Sequence, residues 1–147
     1  MKIRDVVNFH AARIRASDSL AQAVELLCNS QASDLMVVDE SNSFVGVLSE
    51  GDILRALMPD FEDLAAEGKL TGGFEIFAEK GAQLTNAQIQ QYVIEAPITL
   101  SPDDDLLHAA GLMVSKGIRR LPVVENGKLL GTIARADVCR GAIVKRA

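Results

Sequence analysis

The chain has 147 residues, 48% of them apolar and 24% charged, with 15 basic and 20 acidic side chains and a formal net charge of −5. That composition fits one globular domain of usual size and excludes disorder and collagen-like repetition. The acidic balance argues against a general nucleic-acid binder, whose phosphate contacts need a basic surface, and no run approaches the roughly 18 apolar residues of a membrane span. The first twenty residues carry Lys2, Arg4, Asp5, Arg13, Arg15 and Asp18, where a secretory segment would need an uncharged apolar stretch. A soluble, cytoplasmic protein is expected. Cys28 and Cys139 lie far apart in apolar surroundings without metal or redox spacing, and are expected to be buried small hydrophobes.

In chain order, an extended piece at Ala12 to Ile14 leads into a polar turn, Ala16 to Ser19, able to cap a helix. Leu20, Ala23, Val24 and Leu27 then recur at the three- and four-residue spacing of one buried helical stripe. Two apolar runs follow, Leu35 to Val38 and Phe44 to Leu48, and a second helix is predicted from about Glu50 to Leu57. From Pro59 to about Thr85 comes an acidic spacer with Gly68, Gly72, Gly73 and Gly81, in which Phe61, Leu64, Phe74, Ile76 and Phe77 suit short surface helices. The pattern then restarts. Ile98 to Leu100 is extended, Ser101 to Asp105 is a polar turn, and Leu106, Ala109, Ala110 and Met113 form a stripe. Runs at Leu121 to Val124 and Leu129 to Ile133 flank Asn126-Gly127, a strong hairpin signal, and a last helix runs from about Arg135 to Val144.

The restart is a duplication. An offset of 86 aligns Ile3 with Ile89, Val7 with Val93, Leu20 with Leu106, Leu35 with Leu121 and Val38 with Val124; after one lost turn residue, an offset of 85 aligns Gly46 with Gly131, Asp52 with Asp137 and Arg55 with Arg140. A β-α-β-β-α unit of about 55 residues buries too little surface to be secure alone. Two units packed sheet to sheet about a pseudo-two-fold axis solve this and leave related clefts beside the seam. The expected fold class is α/β (α+β), with a first repeat at 1–58, an insertion at 59–85 and a second repeat at 86–147.

Each repeat contains a Gly-h-h-Ser/Thr-x-x-Asp pattern, h being apolar: Gly46-Val47-Leu48-Ser49-Glu50-Gly51-Asp52, and Gly131-Thr132-Ile133-Ala134-Arg135-Ala136-Asp137, where Ala134 replaces the hydroxyl. A strand ending at Leu48 and a helix starting near Glu50 put Ser49 at the N-cap, where free N–H groups and the helix dipole favour an anion. Ser49-x-x-Asp52 equally fits a capping box with Asp in place of Glu or Gln. Asp137, facing Ala134, has lost that reciprocal partner and gains only about 0.3–1 kcal/mol from the dipole.

The duplication, the two motifs and Ile118-Arg119-Arg120-Leu121-Pro122-Val123-Val124 together resemble the cystathionine-β-synthase (CBS) domain pair, as a stand-alone Bateman-type module. The resemblance covers both repeats and omits the spacer. It implies a regulatory module, not an enzyme, that binds an adenine nucleotide or adenosyl compound (AMP, ADP, ATP or S-adenosylmethionine) between the repeats. It also implies a homodimer that acts on an unidentified regulated protein, with no DNA or membrane partner and no resident cofactor. Asp52 and Asp137 would accept from ribose hydroxyls, Ser49 would hold ribose or phosphate, and Arg119 and Arg120 would reach phosphates. A dry slot for the base would lie between Ile98, Thr99, Leu121 and Pro122, with Thr99 adding a hydroxyl; Arg135, inside the second motif, completes the candidate ligand-binding set.

The copies are not equivalent. Ser33 and Asp34 stand where the second repeat has Arg119 and Arg120, Arg13 stands for Thr99, and Met36 for Pro122. A polyanion should therefore lean on the second copy, since a carboxylate beside phosphate is unfavourable. Solvated surface arginines and ordinary core packing are the simpler accounts of the same residues. His10 and His108 fall at unrelated repeat positions, and no HExxH, GxSxG or P-loop occurs. Asp103-Asp104-Asp105 marks a helix start rather than a metal site, because three consecutive side chains do not converge. The alternative function is a protein-interaction scaffold with empty clefts, docking a partner through the acidic spacer.

Overall fold

The computed structural model describes residues 1–59, 73–95 and 98–144. Local chemistry sets the first repeat. Ser19 Oγ accepts from Gln22 N at 3.2 Å and Gln22 Oε1 accepts from Ser19 N at 2.8 Å, a reciprocal cap that starts helix α1 (Leu20–Ser30). Strands β1 (Arg13–Arg15), β2 (Asp34–Val38) and β3 (Phe44–Ser49) form one sheet, β1 parallel and β3 antiparallel to β2, and α2 (Glu50–Leu57) follows directly from β3.

The second repeat follows the same plan, with α4 (Leu106–Lys116), antiparallel β4 (Arg120–Glu125) and β5 (Lys128–Ala134), and α5 (Arg135–Ile143). Asn126 and Gly127 both have positive φ, 52° and 77°, as the tight hairpin between β4 and β5 requires. The extended piece at Ile98 to Leu100 is slighter than its counterpart β1. It makes a single parallel bridge, Leu100 to Val123, with Leu100 N donating to Pro122 O and Val124 N to Leu100 O.

Among the described residues three apolar clusters hold the fold together, and their membership crosses the repeats. Leu100, Leu106, Ala109, Met113, Leu121, Val123 and Ile133 enclose Ile3, Val6 and Val7 from the start of the chain. Conversely, Leu20, Ala23, Leu27, Leu35 and Leu48 enclose Ile89, with Val93 packed against them. Each repeat's leading segment thus completes the other repeat's core. The backbone shows the same exchange: Asn8 and Thr132 donate to each other's carbonyls at 2.9 and 3.0 Å, and Ile94 and Val47 do so at 2.9 Å. Burying an isoleucine such as Ile3 completely is worth about 1.5–3 kcal/mol, which fixes these segments in place. The third cluster, Met36, Val38 and Leu129 with Phe44, Val47 and Val124, is the seam between the two sheets.

That exchange explains the motif glycines. A Cβ on Gly46 would run into the Ile94 carbonyl and lie 2.7 Å from Val93 Cγ1, and one on Gly131 would run into the Asn8 carbonyl. Only glycine lets the exchanged backbone cross so closely.

Among the described residues of the spacer, 73–84 form helix α3 (Gly73–Leu84), which lies along α2, with Lys80 Nζ bonded to Met58 O at 2.9 Å. Phe74 is exposed, Ile76 and Phe77 half-buried. Phe61, Leu64, Gly68 and Gly72 lie outside the described residues.

Burial expectations are corrected at three residues. Cys28 and Cys139 are exposed, not buried. Each follows an inward-turned residue, Leu27 or Val138, so the helix carries it about 100° round to the rim of an open groove between the two helices of its repeat. Val24 borders the α1–α2 groove for the same reason and is 40% exposed.

Candidate functional site

The two strand-to-helix corners differ in their capping chemistry. At the first, Ser49 Oγ accepts from Asp52 N at 3.1 Å and donates to Asp52 Oδ2 at 2.7 Å, while Arg55 bonds Oδ1. Burial pushes the Asp52 pKa up, but the Ser49 hydroxyl and Arg55 outweigh it and hold the carboxyl below its ordinary value. At the second corner the hydroxyl is missing. Asp137 Oδ2 accepts instead from Ala134 N at 2.8 Å, and Arg140 stands 3.7 Å from Oδ1. Asp137 thus has a cap role that the loss of its hydroxyl partner had seemed to remove, because the carboxylate half of a capping box needs only a backbone N–H. Both aspartates cap their helix start and face an arginine three residues on, their side chains 13% and 16% exposed.

The second repeat gathers most of the candidates. Backbone bonds place Thr99 next to Pro122, through Leu100, and Arg119 next to Arg135, whose N donates to Arg119 O. β-pairing sets Arg120 opposite Ala134 and Pro122 opposite Thr132. Thr99, Arg119 and Arg135 are exposed, Pro122 is buried and Asp137 is half-buried. Arg135 Nε is tied to Ile118 O at 3.2 Å, and the side chain borders the α4–α5 groove.

Arg120 is not a free cation. Its Nε lies 3.8 Å from Asp34 Oδ1, the carboxylate of its own repeat counterpart, so the two equivalent positions meet on the pseudo-axis. Asp34 pairs across its sheet with Ser49. The ion pair therefore joins the corner bearing Ser49 and Asp52 to the corner bearing Ala134 and Asp137.

Arg13, the counterpart of Thr99, crosses the seam. Its guanidinium donates to Asn42 Oδ1 at 2.9 Å and to the carbonyls of Leu129 and Leu130 at 3.2 and 3.3 Å. It ties the repeats together where the second copy has an open hydroxyl. The acidic triplet is dispersed among local partners: Asp103 pairs with Arg4, Asp105 with Lys2, and Asp104 accepts from Ser101 N. Among the described residues no cluster of His, Cys, Asp and Glu is arranged to hold a metal ion, and no helix is long and apolar enough to cross a membrane. His10 and His108 are both exposed.

The family model described as CBS domain matches this chain twice, at residues 3–59 and 89–143. The chain belongs to the CBS domain family. The fold is that of a CBS domain pair, and a crystal structure of CBSX2 in complex with AMP superposes on it with a TM-score of 0.74 at 25% identity, covering 99% of this chain and 98% of that one. In sequence, the CBS pair is 28% identical to chloroplastic CBSX2 of Arabidopsis thaliana over 95% of this chain and 61% of that protein. It is 23% identical to MJ1225 of Methanocaldococcus jannaschii over 92% of this chain and 40% of that protein. The chain thus spans less than two thirds of the length of both curated relatives. Sequence reasoning missed the arginines that anchor the CBS motif aspartates. The repeat of Arg55 at Arg140, three residues after Asp52 and Asp137, was the available signal.

Proposed function

We propose that this CBS pair is a regulatory, non-catalytic module that binds an adenine nucleotide or adenosyl compound, AMP, ADP, ATP or S-adenosylmethionine, in the cleft between its repeats. The observation that carries this is the AMP held by CBSX2, whose fold matches this chain from end to end. The residues present suit such a ligand. Asp137 keeps one carboxylate oxygen beside the helix start and is partly open to solvent, and an ionised acceptor is a strong partner for a vicinal diol. Thr99 offers a hydroxyl beside Pro122, and Arg119 an exposed cation. The favoured cleft is that of the second repeat, since Arg13 fills the corresponding position of the first with its bonds to Asn42, Leu129 and Leu130.

The repeats at 1–58 and 86–147 act as one ligand-sensing unit around the 59–85 insertion, in the cytoplasm and without a DNA or membrane partner. Binding shifts the angle between the repeats, and a ligand preference of 1.4 kcal/mol for one arrangement moves that equilibrium tenfold. A homodimer that presents this change to a regulated protein is part of the same proposal. The grooves between the helices of each repeat support it, with Val24, Leu54 and Val114 exposed at or beside them.

Calorimetry with the four ligands on wild type and Asp137→Asn tests the assignment. The asparagine still accepts the Ala134 N–H but offers no charge to a ribose, so affinity should fall about tenfold. Equal affinities would remove Asp137 from the site. A melting temperature unmoved by saturating ligand would favour the scaffold, because a binder gains about 2.7 kcal/mol at a hundred times its Kd.

A further inference from the structure

Asp34 stands on the seam between the two corners, 3.8 Å from Arg120 Nε, and the exposures of the two side chains are 20% and 26%. Its Oδ1 is buried and receives no hydrogen bond among the described residues. The charged groups that act on it are Arg120, from β4, and Glu50, at the start of α2, whose N donates to Ser33 O. The cations near the seam are therefore unequal. Arg120 already faces an anion, Arg135 is tied to Ile118 O, and Arg119 is exposed.

Resting on the adenosine-binding proposal, we infer that Asp34 is a built-in anion that sets ligand charge, so that the module selects adenosine compounds with a neutral, cationic or singly phosphorylated 5′ group and rejects polyphosphates. A phosphate chain reaching for Arg120 must displace Asp34 or lie beside it, with the Glu50 carboxylate adding to the repulsion. Like charges brought together in a partly desolvated site discriminate between ligands that share the same nucleoside. A mono- or unphosphorylated ligand, held at its ribose and base, does not need Arg120.

The test is the ratio of ATP affinity to adenosine affinity, measured by calorimetry on wild type, Asp34→Asn and Arg120→Gln, with AMP as a third ligand. Asp34→Asn keeps the side-chain shape and removes the charge, and should raise the ratio about tenfold; Arg120→Gln leaves the carboxylate unopposed and should lower it. Melting curves check that each variant folds, and Asp34→Ser substitutes if the asparagine does not. A ratio that stays within about twofold of wild type in both variants, or a wild type that prefers ATP to adenosine and AMP, overturns this inference and leaves the adenosine site standing. If wild type binds none of the three and no S-adenosylmethionine either, both proposals fall together.

Discussion

The carbonyl of Asn8 lies over the α-carbon of Gly131, with the carbonyl carbon only 2.9 Å from where a Cβ would stand. The obstacle is backbone, held in place by the paired bonds between Asn8 and Thr132, so it cannot swing aside as a side-chain tip would. Gly131→Ala and Gly46→Ala should each destabilise the fold by about 1–3 kcal/mol or more. Gly111, in the middle of α4 with no described residue outside its own helical turn within 4 Å of its would-be Cβ, is the internal control. Gly111→Ala should stabilise by about 0.4–1 kcal/mol. Urea titration of the three variants reads both signs.

The exchanged leading segments make a related prediction. Ile3 and Ile89 are both 0% exposed, each inside the core of the opposite repeat. Ile3→Ala and Ile89→Ala should each cost about 2–5 kcal/mol. A fragment that begins at residue 86 lacks Ile3, Val6 and Val7 and should fail to fold by circular dichroism. A cooperative melt of that fragment would show that the exchange is dispensable.

Thr132 is 1% exposed, and its hydroxyl has no partner among the described residues. Its repeat counterpart is Val47, the same shape without the hydroxyl. A buried unsatisfied polar group costs about 1–3 kcal/mol, so Thr132→Val should raise the melting temperature with the seam packing unchanged. A lower melting temperature would mean that the hydroxyl has a partner, such as a bound water.

The unequal corners predict opposite effects of one hydroxyl. Ser49→Ala removes both bonds to Asp52 and should destabilise by about 0.5–2 kcal/mol. Ala134→Ser places a capping oxygen at an extended N-cap with φ −101° and ψ 165°, opposite Asp137, and should stabilise by about 0.5–1 kcal/mol. Thermal melts of the two single variants decide it.

Asp34 and Asp52 should leave opposite marks on the pH dependence of stability. Burial lifts the Asp34 pKa above its ordinary value; Arg120 lowers it, Glu50 raises it again, and the net direction is upward. Between the unfolded carboxyl value, about 3.9, and the raised folded value, the native state holds more protons than the unfolded one, so stability falls as pH rises through that window. Asp34→Asn removes this penalty, and its gain in melting temperature over wild type at neutral pH should shrink towards pH ~4. Asp52, held low against its burial by Ser49 and Arg55, contributes stability above its unfolded pKa that is lost as pH falls through the folded one.

The sequence by itself determined the duplication, the order of elements, the hairpin at Asn126-Gly127 and the two helix-starting motifs. Each is written in short-range spacing: turn residues, cap residues and apolar stripes act within a few neighbours and need no knowledge of the rest of the chain. It also placed Asp34 and Arg120 at equivalent positions, and equivalent positions on strands beside a two-fold axis are the ones able to meet. Only the tertiary structure decided that they do meet, that Met1 to Asn8 completes the second core, and that Arg13 spans the seam. It alone showed that Cys28 and Cys139 face open grooves. The first three depend on which surfaces come together across some 85–125 residues of chain, the grooves on how the two helices of a repeat pack, and a hydrophobic stripe records that a face is buried without recording against what.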